Sequence, residues 1–334
     1  MEISNSVTNW NVDNLSEFRQ QILDATDLLK LKSPAFIEKD FYVTQLIHAL
    51  SEIKNPHYYL YFQGGTCLSK AYRITERMSE DCDFRIALQP GVSFKRETLR
   101  QFRQTILQVL RENGFYCSDD VIRVRNLGQF MELRIPYRSI YSQHSVALKP
   151  YLAVEFFLNT VKLPTQNQPI TTLMRQTLGA TIQHPIGKID CVSPLETAAE
   201  KWVALTRRIA TMDYRTHYQD TSLVRHLYDL YRIEQSGYSF DESMAKLVMV
   251  IIEGDRQQYR NHNPAYFANP SQEIRRALQV LKESKAWQSY WDAFMLDMVF
   301  GERPAYADVV DNFIGKSEKI LHSLEMISWE TEIV

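Results

Sequence analysis

Cysteine is scarce, no apolar run is long, and neither sign of charge is in excess; each shortage excludes a class of protein. The four cysteines of the 334 residues, at 67, 82, 117 and 191, have no Cys-x-x-Cys spacing and no paired-histidine context. Neither a disulfide framework nor a zinc site is indicated, and reduced thiols are the default. The longest aliphatic block, Leu247 to Ile252, is far short of the ~20 residues of a membrane span, and MEISNSVTNW lacks a basic stretch leading into an apolar run. A soluble, cytoplasmic chain with no membrane partner is expected. Lys plus Arg number 38 and Asp plus Glu 40, a formal charge of −2, which excludes a uniformly basic nucleic-acid coat but leaves room for a local basic groove. What is present is 45% hydrophobic and 12% aromatic, enough for a sizeable core. At roughly 150 residues per domain the length predicts two domains.

Periodicity divides the chain. Helical spacing covers about 15 to 31, and again from Ser33-Pro34 through Leu50, with serine at the cap and proline in the first turn. Tyr58 to Phe62 predicts a strand ending at Gly64-Gly65, followed by a helix to about Met78 and a strand over DCDFRIAL, 81 to 88. A helix from 95 to 113 is closed by Gly114, and 119 to 137 reads as two strands. YLAVEFFL, 151 to 158, is the most strand-like run, interrupted only by Glu155. After about 160 helical patterns dominate, beginning with a capping box and N1 proline at Ser193-Pro194-Leu195-Glu196. The expectation is α+β, with domains at 1–160 and 161–334, the second all helical. No internal repeat or low-complexity tract is evident.

The chemistry concentrates between Phe62 and Phe84. Two glycines before a helix let the backbone approach a ligand, and the exposed N–H groups of the helix start suit phosphate oxygens, with Thr66 and Ser69 as added hydroxyl donors. Asp81 and Asp83, two apart on a strand, point to one face and repel unless a cation lies between them. Magnesium, a hard ion that takes oxygen ligands, suits that pair; taken alone, the Asp-x-Asp also reads as a solvated loop before the strand. Glu155 costs several kcal/mol to bury unpaired, so it needs an edge, a cationic partner or a metal. If its strand neighbours that of the Asp pair, three carboxylates converge.

In this order GGTCLSKAY, ERMSEDCDF and a strand acid resemble the nucleotidyltransferase superfamily, and are similar to the AbiEii/AbiGii toxin family within it. EKDFYVTQL at 38–46 resembles that family's upstream helix, SPLETAAEKWVAL at 193–205 its third motif, and RHLYDLYRI at 225–233 its fourth. The resemblance runs from about 36 to 235. It implies a nucleotidyltransferase-like mixed sheet with helices, followed by a helical domain contributing to the active-site cleft. By it, Gly64, Gly65, Thr66 and Lys70 hold the phosphates of a nucleoside triphosphate, Asp81 and Asp83 the metal (Mg2+ or Mn2+), and Lys201 the triphosphate, with Asp229 orienting the lysine or the nucleotide. Many members carry an acid after the arginine of the fourth motif, where this chain has His226. Read without the resemblance, Lys201 is a helix charge beside Glu200 and Asp229 an i,i+4 partner of Arg225; Glu38, Lys39 and Asp40 are a polar helix face or a structural brace, with lining of the site as a third reading.

The implied activity is transfer of a nucleoside monophosphate from a nucleoside triphosphate to an acceptor hydroxyl with release of pyrophosphate, by a toxin of a toxin–antitoxin or abortive-infection pair with a cognate antitoxin. Some members act on tRNA 3′ ends, which makes RNA the expected acceptor. Arg73, Arg77, Arg85, Arg134, Arg138, Lys149, Arg207 and Arg208 are candidates for its groove. Two alternatives stay open: a small-molecule or protein hydroxyl as acceptor, and a catalytically silent nucleotide- or RNA-binding module.

Overall fold

The computed structural model describes residues 15–141, 148–179, 182, 184–212 and 220–331. The chain forms two compact units, Met1–Val192 and Ser193–Val334. In the first, α1 (Leu15–Leu28), α2 (Ala35–Ser51), β1 (Tyr58–Gln63), α3 (Gly64–Lys70), β2 (Asp81–Leu88), α4 (Arg96–Glu112), β3 (Ile122–Arg125) and β4 (Phe130–Pro136) are followed by β5 (Tyr151–Leu158), β6 (Gln166–Ile170), α5 (Leu173–Leu178) and β7 (Gly187–Cys191). The strands make one sheet in the order β3-β4-β5-β2-β1-β7-β6. β2 runs parallel to β5 and β1 parallel to β7, and the other neighbours are antiparallel.

Alternation along the strands separates two faces. Cys82, Phe84 and Ile86 of β2, Leu152, Val154 and Phe156 of β5, and Met131, Leu133 and Ile135 of β4 are all buried and share a core with Phe41, Val43 and Leu46 of α2 and Leu99, Phe102 and Ile106 of α4. Emptying a position such as Phe84 would cost about 3–5 kcal/mol. The opposite face of the same strands carries Asp81, Asp83 and Glu155, each half-buried.

α2 is apolar nearly all round and lies in the core, yet Glu38, Lys39 and Asp40 are all buried. Consecutive helical residues diverge by about 100°, so the three charges reach three different segments. Glu38 accepts from Ile140 N at 2.7 Å and Tyr141 N at 3.1 Å. The Lys39 ammonium pairs with Glu80 and donates to the carbonyl of Tyr151 at 3.0 Å. Asp40 pairs with Lys70 and accepts from Leu173 N at 2.7 Å. Of the readings of this triplet, the contacts are those of a brace.

Two segments differ from expectation. The helix after Gly64-Gly65 stops at Lys70, not near Met78, because Arg73 turns the chain with a left-handed φ of 56°. Beyond 160, where helices were expected, β6 and β7 extend the sheet before the first unit ends at Val192. Gln166 to Ile170 is polar and contains proline, so its sequence has no strand-like alternation; it forms an edge strand, the sheet position where proline is tolerated.

The second unit is helical throughout its described residues, with α6 (Pro194–Thr211), α7 (Val224–Gln235), α8 (Glu242–Tyr259), α9 (Pro264–Ala268), α10 (Pro270–Glu283), α11 (Lys285–Met298) and α12 (Tyr306–Thr331). Ser193 caps α6 by accepting from Leu195 N at 3.3 Å, with Pro194 at the first position. α6 is central: Trp202 is fully buried and donates to Ser317 Oγ of α12 at 2.9 Å. Among the described residues no helix is long and apolar enough to cross a membrane. The four cysteines are buried and unbridged.

Candidate active site

Parallel pairing of β2 with β5 sets Asp83 directly beside Glu155, with Asp81 one pleat back opposite Ala153. β4 continues the row: Glu132 lies opposite Glu155. Three carboxylates therefore stand abreast on neighbouring strands, and Asp81 is on the same face. The Glu155 carboxyl is raised above its usual range by burial first, and then by the charges of Asp81 and Glu132. Glu132 was missed in the sequence because its strand, FMELRIP, alternates in the ordinary way; only the register brings it to Glu155.

The glycine turn explains itself by contact. Gly64 has φ of 78°, and a Cβ there would lie 2.3 Å from Asp83 Oδ2, so the carboxylate occupies the space that a side chain would fill. A Cβ on Gly65 would lie 2.3 Å from the Arg77 guanidinium. Both glycines are thus used for close approach, one to an acid and one to a base.

The side chains after the glycines face elsewhere. Thr66 is fully buried; its hydroxyl donates to the Asp81 carbonyl and lies 2.8 Å from Ser79 Oγ, tying α3 to the start of β2. Ser69 donates to the Thr66 carbonyl at 3.1 Å. Lys70, expected on phosphate, is 3% exposed and its ammonium is engaged by Asp40. In this arrangement it ties α3 to α2 through a buried ion pair. Arg77 and Arg85 are likewise buried, Arg85 donating to Gln63 Oε1 at 2.8 Å and to the Thr160 carbonyl at 3.1 Å, so neither lines a groove.

Cations pair with the acids: Arg134 with Glu132 at 2.5 Å, and Lys149 with Asp81. The Lys149 ammonium lies 2.6 Å from Asp81 Oδ1, and its backbone N–H donates to Glu80 Oε2 at 3.0 Å. Burial alone would lower the lysine, but Asp81 and Glu80 outweigh it and hold the ammonium charged. Glu80 in turn is gripped by Lys39, so the α2 brace sets both Lys149 and the start of β2. Among the described residues no group of three or more His, Cys, Asp or Glu side chains is gathered closely enough to hold a metal ion as it stands. The carboxylates share a face, then, without yet converging.

In the second unit Lys201 of α6 and Asp229 of α7 form an ion pair of 3.0 Å, with Asp229 fully buried and Lys201 12% exposed. Asp229 is thereby engaged across two helices, beyond any i,i+4 pairing with Arg225, whose Nε donates to the Ser222 carbonyl at 3.2 Å. His226 lies in the same cluster: burial, then Lys201, lowers its pKa well below the ordinary value, and its Nδ1 has no hydrogen-bond partner among the described residues. Arg207 pairs with Asp255 at 2.6 Å and Arg208 with Asp220, so both are committed within this unit.

Comparison with curated proteins gives no match. Among solved structures, MenT4, a nucleotidyltransferase toxin from Mycobacterium tuberculosis H37Rv, is 18% identical with a TM-score of 0.45, covering 70% of this chain and 70% of its own. A STING-associated CdnE c-di-GMP synthase from Capnocytophaga granulosa is 10% identical with a TM-score of 0.25, covering 95% of this chain and 91% of its own. Residues 48–312, well over half the chain, match the family described as nucleotidyl transferase AbiEii toxin of type IV toxin–antitoxin systems, and the protein belongs to that family of nucleotidyltransferases.

Proposed function

We propose that the enzyme transfers a nucleoside monophosphate from a nucleoside triphosphate to the 3′ hydroxyl of an RNA, with tRNA as the acceptor class, and that a cognate antitoxin restrains it. The observation that carries this reading is the in-register pairing of Asp83 with Glu155, with Asp81 on the same face. The donor set suits magnesium or manganese, being all carboxylate oxygen. The close seat of Asp83 on Gly64 suits it too, since a Cβ there would collide with that carboxylate. Asp81, Asp83 and Glu155 would hold the cation. Bound there, it would supply positive charge to the triphosphate and to the leaving pyrophosphate.

The remaining steps belong to the chain. The turn at Gly64-Gly65 brings backbone to the phosphates, with the half-buried Ser69 beside it, while Thr66 and Lys70 hold that turn from behind. The acceptor oxygen bonds to the α-phosphorus as the bond to the bridging α–β oxygen breaks and its electron pair leaves with pyrophosphate. The hydroxyl proton goes to a carboxylate oxygen of the Asp83–Glu155 pair. The family resemblance assigns Lys201, oriented by Asp229, to the triphosphate. The test is incubation with each α-labelled triphosphate, magnesium and total cellular RNA. Label on RNA is expected; label confined to protein or small molecules would overturn the RNA acceptor, and no label anywhere would overturn transfer.

A further inference from the structure

The face of the sheet that bears the acids continues past them. One pleat further along the strands a second row crosses the sheet in register: Arg85 of β2, Phe157 of β5, Phe130 of β4 and Arg125 of β3. Arg85 is buried, but the other three lie toward solvent. Phe157 is 36% exposed, its ring centroid 4.8 Å from that of Phe130, and the Arg125 guanidinium lies 5.9 Å over the Phe130 ring. Arg123, opposite Glu132, is exposed on the same edge strand. Toward the other side of the acids, the Arg134 guanidinium lies 5.4 Å over the Tyr151 ring.

We propose that Phe157, Phe130 and Arg125 form a stacking site for an unpaired base of a single-stranded nucleic acid, whose backbone is drawn along the edge by Arg123 and Arg125. Aromatic rings beside cationic side chains on an open sheet face bind single strands, because every base has a face to stack and every linkage a charge to neutralise. Phe157 is two residues beyond Glu155, a rise of ~7 Å, which is about one extended nucleotide step. A strand whose terminal nucleotide reaches the carboxylates thus has its neighbouring base at the rings. The site rests on the proposed transfer to RNA only for that last connection.

Phe157 is exposed, so its replacement leaves the core intact. The probe is a short, mixed-sequence, fluorescein-labelled single-stranded oligoribonucleotide, followed by fluorescence anisotropy. Phe157→Ala is expected to weaken binding about tenfold, Phe157→Tyr to retain it, and Arg125→Ala to lower the salt dependence by about one phosphate contact. Melting temperature and triphosphate affinity should stay at wild-type values in all three. Equal oligoribonucleotide affinity in wild type and Phe157→Ala, or no binding by wild type, would overturn the site. Labelling of RNA with an unchanged KM for RNA in Phe157→Ala overturns the stacking site and leaves transfer standing. Oligoribonucleotide bound through Phe157 with no transfer from any triphosphate does the reverse.

Discussion

At Gly64 the lack of a side chain decides where Asp83 stands, since the two compete for the same space. Asp81 is decided by its partner: the Lys149 ammonium occupies the side of that carboxylate at 2.6 Å. Both groups are partly solvated, at 40% and 28% exposure, so the pair is screened and weak, and a divalent cation can displace it. Lys149→Met should therefore raise the affinity for manganese, by about fivefold for a pair worth ~1 kcal/mol. Titration of the ion into the protein without nucleotide, followed calorimetrically, reads this directly. Unchanged affinity would mean that the lysine does not compete for the site. In the sequence the Asp pair and Glu155 were legible, since an i,i+2 repeat and a charge inside an apolar run both violate ordinary strand patterning. Lys149 was only one of eight basic residues, because its contact depends on a strand pairing across about 70 positions.

The elements carry two further expectations. α6 and α7 bring Lys201 to Asp229. Lys201→Met should lower triphosphate affinity by about tenfold through loss of a charge-assisted contact, with a smaller loss for Asp229→Asn. Because Asp229 is buried, the variant's melting temperature is measured alongside, and affinity is compared in folded protein; equal affinity would return Lys201 to a structural role. The second concerns His184, which packs its ring 5.0 Å from Phe41 of α2 and approaches Thr172 Oγ1 at 3.0 Å. Burial first, and then Arg175, lowers its pKa from 6.5 to about 4. The folded chain keeps it neutral where the unfolded chain binds a proton, so stability present above pH 6.5 is lost as the pH falls toward about 4. Thermal unfolding across that window should show the loss, and His184→Gln should flatten it; an identical slope in the variant would place the titrating group elsewhere. The helices themselves were legible from period and caps. The pairing of Lys70 was not: a lysine after Gly-Gly-Thr reads as a phosphate ligand, and nothing in the sequence sets Asp40, 30 residues earlier, beside it.

For the whole molecule, the order of a mixed sheet before a helical half was written in the sequence, because strand and helix periods change along the chain. The end of the first unit at Val192 was not, since β6 is polar and lies at the sheet edge, and β7 is only five residues long. Membership in the AbiEii family fixes the class of reaction, and the sheet face carries the acids proposed for it. The central claim is that those acids perform the transfer. It is tested most directly by Asp83→Asn, which keeps the side-chain volume against Gly64 and removes the charge. Transfer of label from a nucleoside triphosphate should fall to about a thousandth of wild type or less, with the melting temperature unchanged. Transfer at the wild-type rate by folded Asp83→Asn would contradict the account.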